Sequence, residues 1–476
     1  MKEHYYVALD IGSNSVKAVV GEKFHDGVNI IGTGQTYTDG VSKGTIRDFD
    51  LTRSAIIDTV KKAKISSGVD FDEVFLKMPI AGMELKFAEE EIRFGGNSTE
   101  INGTHIEDML ETIRERVVQS DKEVVTVYPV YFKVDDLHEV SDPKEMMATQ
   151  SLFVSAGILL SSRTVLMNAV KCVEEAGLTV LDVYSDAVNY AHVLSESEVE
   201  LGGVVIDIGH ELTQFGYYER GTLKTSGSLP VGGKHITKDL SEAFNTTLEA
   251  AEKAKHHYGH AFYDLASAED IVRLPQRDGE ADIEITPQDM SDIIEMRMEE
   301  VFMDVFGVLQ ENQITKVSGG FVVTGGTANL LGIKELMQDL VSEKVRVHIP
   351  NQMGARKPEF SSAIATVSSG IMFDELLEYV TIDNYDTESD TVRHAADEES
   401  SGNFFTGLFN KRREQESHDA DSGSVGQPKN TSEGYADYSY EDRSEDLDNR
   451  DSGDKRQGED KNYRGYMKKL FKNLFE

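Results

Sequence analysis

"YYVALDIGSNSVKAVVGE", residues 5–22, reads as an apolar strand, a tight polar turn and a second strand. The layout returns far downstream in "GGVVIDIGHELTQFGYYERG", residues 202–221. In each copy Asp-Ile-Gly closes the first strand, which sets Asp10 and Asp207 at the ends of buried strands. A single Asp-Ile-Gly is ordinary turn chemistry. Two at corresponding places in two half-chains predict two hairpins facing each other across a cleft. Backbone N–H groups and the hydroxyls of Ser13, Ser15 and Thr213 would grip a polyphosphate, with the two aspartates holding Mg²⁺, usually through water.

A third element, "GFVVTGGTANLLGI" (320–333), is a strand running into Gly325-Gly326 and then a predicted helix. Glycines there let a nucleotide approach the backbone, and a helix N-terminus favours its phosphates. Neither the G-x-G-x-x-G fingerprint nor the Gly-Lys-Ser/Thr of a P-loop is present, which disfavours those nucleotide folds.

Around these motifs the chain of 476 residues, 39% hydrophobic, alternates strand-like and helix-like segments to about residue 380, as α/β domains do. The net charge of −37 offers no basic stripe for nucleic acid. The sole cysteine, Cys172, excludes an internal disulfide framework and fits a reducing compartment. No secretory signal or membrane-spanning run is expected, so the reading is cytoplasmic. The "KHHYGH" histidines (His256, His257, His260) lack acidic or cysteine partners at metal-ligand spacing and read as surface residues.

From 381 the composition changes. Residues 381–460 hold 22 acidic and nine basic residues, with little aliphatic content. Such a stretch buries too little apolar surface to offset its ordering entropy and reads as a disordered linker. Its island "NFFTGLFNKRR" reads either as a docking motif or as a chance apolar patch. The final segment, 461–476, reverses the charge to a net of +4. Tyr466, Met467, Leu470, Phe471, Leu474 and Phe475 form an apolar stripe at helical spacing opposite Lys468, Lys469 and Lys472. That pattern predicts a helix lying in the plane of an anionic membrane surface.

With the three glycine-bearing motifs in order, the chain resembles the actin/Hsp70/sugar-kinase ATPase superfamily. "SDAVNYAHVL" (185–194) and "SSAIATVSSGIM" (361–372) look like its two connecting helices. Within it the chain is similar to the bacterial cell-division family FtsA, with "SLPVGGKHITKDLSEAFNTTLEAAEKAKHHYG" (228–259) matching that family's segment between the second phosphate hairpin and the adenine pocket. The resemblance implies a two-lobed α/β, actin-like (ribonuclease H-like) fold. Residues 1–84, 165–197 and 362–380 would form subdomain 1A, 85–164 an inserted subdomain 1C, 198–230 and 310–361 subdomain 2A, and 231–309 subdomain 2B.

It also implies ATP and Mg²⁺ as ligands. Asp10 and Asp207 would be the metal-side carboxylates. Gly12, Ser13, Asn14, Ser15, Lys17, Gly209 and Thr213 would surround the phosphates, closed in by Gly232 and Gly233. Gly325, Gly326 and Thr327 would lie along the nucleotide, and Glu252 and Lys255 would meet ribose and adenine. Glu252 and Lys255, a helical turn apart, would otherwise read as an exposed ion pair. Asp186 stands where actin-like hydrolases orient water, and with Asp207 is the catalytic candidate. His210 and Glu211 bulk the second turn, so slow hydrolysis at most is expected.

The implied partners are the C-terminal peptide of FtsZ on 2B near Arg297, later division proteins on 1C, further copies of the chain in filaments, and the cytoplasmic face of the membrane at the septum. From the residues alone, Arg297 could instead simply pair with Glu300 or Glu295. A sugar kinase would need a substrate aspartate motif, and a chaperone ATPase a β-domain after residue 380; neither is found. The nearer rival is the pilus-assembly relative PilM.

Overall fold

The computed structural model describes residues 5–24, 27–117, 121–279 and 281–383. The linker from 384 on, with its Phe404–Arg413 island, and the basic segment carrying Tyr466 to Phe475 lie outside the described residues.

Both predicted hairpins form, and the duplication extends to whole sheets. Strand Tyr5–Ile11 pairs antiparallel with Ser15–Phe24, which pairs with Gly27–Tyr37; on its other side Tyr5–Ile11 runs parallel to Glu73–Met78, itself parallel to Thr179–Ser185. The second sheet repeats this order. Strand Gly203–Ile208 pairs antiparallel with Thr213–Glu219 and then Thr222–Leu229, and on its other side runs parallel to Gly320–Thr324 and then Val345–Val347. Each turn closes alike: the Gly12 amide donates to the Ser15 carbonyl at 3.1 Å, and the Gly209 amide to that of Leu212 at 2.8 Å. A shared sheet order with a shared hairpin places both Asp-Ile-Gly corners at the same end of their sheets.

Helices cover the first sheet. Phe49–Ser67 starts at Asp48, whose side chain accepts from the Leu51 amide, and stops at Gly68 in the left-handed conformation. It lies so close to the third strand that a Cβ on Gly34 would stand 2.2 Å from the Thr59 carbonyl oxygen. Ser361–Asp383 packs Ala363, Ile364, Val367 and Ile371 against Ala8, Val19 and Ile30. It runs three residues past the start assigned to the linker. The segment 185–194 is one α-turn, Asp186–Asn189, followed by a 3-10 turn, Tyr190–Val193.

Two further units flank this frame. Strands Glu84–Arg93, Lys122–Val134 and Ser151–Ser162, with helix Gly103–Val117, enclose a separate core around Ile106, Ile113, Phe132 and Val154. Helices Gly233–Ala243, Leu248–Tyr258 and Pro287–Glu311 pack on the second sheet. The last of these opens with a Thr286/Asp289 capping box and a proline in its first turn, and buries Ile294, Met298, Val301, Phe302 and Val305.

Candidate functional site

The two Asp-Ile-Gly corners and the Gly325-Gly326 turn open onto one cleft of about 430 Å³. Of the residues singled out from sequence, Asp10, Gly12, Ser13, Asn14, Ser15 and Lys17 line it from the first hairpin, and Asp207 and Gly209 from the second. Gly233, Glu252 and Lys255 line a third side, and Gly325, Gly326 and Thr327 a fourth.

Three of the expected residues stand off the wall. The Thr213 hydroxyl donates to the Val231 carbonyl at 2.9 Å. Gly232 packs under the second hairpin, where a Cβ would meet the Gly209 carbonyl oxygen at 2.5 Å. Asp186 is fully buried behind the floor. The expected helix after Gly325-Gly326 is also corrected: a single 3-10 turn, Gly326–Asn329, follows, and α-helix resumes only at Ile333–Leu340. Backbone bonds from Ala328 to Gly325 and from Leu330 to Thr327 close this turn, and side chains brace it, with Thr327 Oγ1 donating to the Gly209 carbonyl at 3.0 Å and Asn329 Nδ2 to that of Gly326 at 2.9 Å.

The floor is a buried charge network that the sequence reading missed in part. In the hairpin register Lys17 stands opposite Asp10, and Nζ meets Oδ2 at 3.0 Å. On the neighbouring parallel strand Lys77 stands beside Asp10, with Nζ 3.0 Å from Oδ1 and 2.8 Å from Asp186 Oδ2. Asp186 also accepts from Gln214 Nε2 at 3.0 Å and from the Ser362 hydroxyl. Tyr190 Oη donates to Asp207 Oδ2 at 3.0 Å. Lys77 lies outside every motif, and Gln214, Tyr190 and Ser362 lie within quoted segments but were not singled out as site residues. The available signal was a lone lysine inside the apolar strand "VFLKM", since a buried lysine needs a carboxylate partner.

Three carboxylates thus share two ammoniums, and the excess negative charge falls on Asp207. Burial raises the Asp10 carboxyl, but Lys17 and Lys77 outweigh it and hold it at about 2. Asp207 is pushed up to about 6 by burial and by Asp186 beside it. Burial likewise raises Asp186 against the pull of Lys77.

This distribution bears on the expected pair of Mg²⁺ carboxylates. Asp207 suits a cation, because no Lys or Arg forms an ion-pair contact with it among the described residues, and Lys77 only partly offsets its charge. Asp10 is less open, since Lys17 donates to one of its oxygens and Lys77 stands 3.0 Å from the other, although that second oxygen makes no hydrogen bond. Of the two expected carboxylates, Asp207 is the more open to a cation. Among the described residues no group of three or more His, Cys, Asp or Glu side chains could hold a metal ion. That includes the histidine cluster, where His256 bonds Glu252 at 2.9 Å and His257 the Lys253 carbonyl at 2.8 Å.

Glu252 and Lys255 form the expected ion pair at 2.8 Å, but Lys255 is buried rather than exposed. Its ammonium also donates to the Gly233 carbonyl and to Thr237 Oγ1. Arg297 pairs with Glu300, one of its two expected partners, and grips Asp239 with two bonds of 2.7 and 2.9 Å, tying two helices together.

Glu211 crosses the cleft. It accepts from the Ser42 hydroxyl at 2.7 Å and the Lys43 amide at 3.0 Å on the first lobe, and from Lys234 Nζ at 2.5 Å on the second. Hydrogen bonds to a charged group are worth about 1.5–3 kcal/mol each. Glu211→Ala is therefore expected to speed amide exchange at Ser42–Gly44 by about tenfold or more. Hydrogen exchange followed by mass spectrometry reads this; unchanged protection would mean that other contacts hold the lobes together.

Two duplicated sheets with a cleft between their hairpins define the actin-like class. Among solved structures, a chain of the PilM–PilN type IV pilus biogenesis complex matches 78% of this chain with 99% of its own, at a TM-score of 0.54 and 15% identity. That is a likeness of fold alone. Sequence carries the narrower assignment. The family model "Cell division protein FtsA" matches residues 204–365, and "SHS2 domain inserted in FTSA" matches 82–157. The cell division protein FtsA of Staphylococcus epidermidis is 51% identical over 100% of both chains. That of Bacillus subtilis is 32% identical over 76% of this chain and 82% of its own. The chain belongs to the FtsA family of cell-division proteins.

Proposed function

We propose that the chain binds ATP with Mg²⁺ in the cleft, self-associates, and tethers FtsZ filaments to the cytoplasmic face of the membrane at the division septum. The observation that carries the nucleotide reading is the convergence of three separate glycine turns on one cleft with charged walls. Ser13, Asn14, Ser15, Lys17 and Gly209 surround the phosphates, Mg²⁺ lies at Asp207, Gly325 to Thr327 run along the nucleotide, and Glu252 and Lys255 flank ribose and adenine. Asp186, held by Lys77, Gln214 and Ser362, has little freedom to orient water, which supports slow hydrolysis.

Family membership supports the tethering role, with the FtsZ peptide on 231–309 near Arg297 and later division proteins on 85–164. Among the described residues no helix is long and apolar enough to cross a membrane. The anchor in this reading is the basic amphipathic end of the chain. Burying four or five of its apolar side chains contributes several kcal/mol at ~1.5–3 each, and each lysine adds about 1 kcal/mol near an anionic leaflet. Helix ordering subtracts from this, so single copies bind weakly and filaments bind by avidity.

The test is co-sedimentation of FtsZ with anionic liposomes and ATP·Mg, comparing the full chain with one ending at Asp460. FtsZ is expected to pellet only with the full chain. If the protein pellets while FtsZ stays in solution, the anchor stands and the partner is wrong.

A further inference from the structure

We propose that Lys77 is a resident cation of the phosphate floor, which lets the cleft hold nucleotide phosphates without a divalent metal. The inference rests on the nucleotide reading above and concerns what neutralises the phosphates. Its basis is a break in the duplication. Beside Asp207, at the end of the neighbouring parallel strand, the second sheet carries Thr324; beside Asp10, at the corresponding place, the first sheet carries Lys77. A neutral hydroxyl in one half is an ammonium in the other.

That ammonium is built in. It is 8% exposed, it lines the cleft, and it is fixed by Asp10 at 3.0 Å and Asp186 at 2.8 Å. An ammonium carries three N–H donors. At most two of them serve Asp10 Oδ1 and Asp186 Oδ2, the first of which is left without a well-directed hydrogen bond, so at least one donor is available to a phosphate oxygen entering the cleft. Lys17 reinforces the arrangement by neutralising the other oxygen of Asp10, so that Lys77 is not fully consumed by one carboxylate.

The experiment is calorimetric titration of the full-length chain with ATP, in Mg²⁺ and in EDTA, for the wild type and Lys77→Met. The wild type is expected to bind measurably in both buffers, more tightly in Mg²⁺. In Lys77→Met the ratio of the EDTA to the Mg²⁺ dissociation constant is expected to rise by about tenfold or more, the size of one lost charge-assisted hydrogen bond. Lys77→Met leaves Asp10 and Asp186 with less compensation, so the double variant K77M/D186N carries the same readout if the single one fails to fold. An unchanged ratio in the variant, or wild-type binding in Mg²⁺ alone, overturns this proposal only. No wild-type binding in either buffer overturns the nucleotide reading and this proposal with it.

Discussion

Gly325→Ala is expected to destroy the cleft floor, with loss of measurable ATP binding and a fall in thermal stability of several degrees. Gly325 has φ 90° and ψ 170°, a conformation essentially confined to glycine. Its missing side chain is also where Asp207 sits. A Cβ there would stand 2.2 Å from Asp207 Oδ1 and 2.7 Å from both the backbone nitrogen and oxygen of Ile208. The Ile208 atoms belong to a central strand and cannot move without carrying the second hairpin along. Backbone strain of about 1–3 kcal/mol adds to an overpacking cost of about 1–3 kcal/mol. Gly354→Ala is the control: its φ is 80°, but nothing lies within 4 Å of the added Cβ. It tests an added Cβ at positive φ without a clash, and the cleft should keep its ligand. Paired melting curves and ATP titrations read both variants. A Gly325→Ala chain that melts and binds as the control does would remove Gly325 from the site.

The contrast between Gly325 and Lys77 shows which parts of the site could be read from sequence. The hairpins were legible because turn chemistry is local: Gly12 and Gly209 each close a turn onto a residue three positions away. The duplication was legible because each strand is an unbroken apolar run ending on aspartate. Lys77 and Gln214 carry equal weight in the floor, but their partners lie 67 and 28 residues away, and no spacing rule reaches that far. Thr213 and Gly232 show the opposite failure. Both stand within a legible motif, but the Thr213 hydroxyl turns to Val231 and Gly232 serves close packing of the hairpin on the next helix. A motif fixes where the backbone goes; where a hydroxyl points depends on which carbonyl the fold brings near. Glu211 makes the same point: in sequence it bulks a turn, while in the fold it spans the lobes.

Asp207→Asn is expected to stabilise the nucleotide-free, metal-free protein at pH 8 and to lose that advantage as the pH falls to about 4. Burial and the neighbouring Asp186 raise the Asp207 carboxyl from 3.8 to about 6. The sign follows from linkage. A carboxyl whose folded-state pKa lies above its unfolded value contributes stability that is fully present below pH 4, where both states are protonated. That contribution is lost as pH rises through 6, because the folded chain must then carry an ill-placed charge. A shift of roughly two units corresponds to about 3 kcal/mol. Asparagine keeps the acceptor for Tyr190 and removes the charge. Melting temperatures of the two proteins across pH 4–8 should therefore diverge upward, with the variant several degrees ahead at the alkaline end. Equal melting at every pH would mean that the floor already compensates Asp207 and has no excess charge to offer a cation. If the divergence is seen, adding Mg²⁺ with ATP should close or reverse it, because a bound cation turns the same charge from a cost into a contact that only aspartate can make.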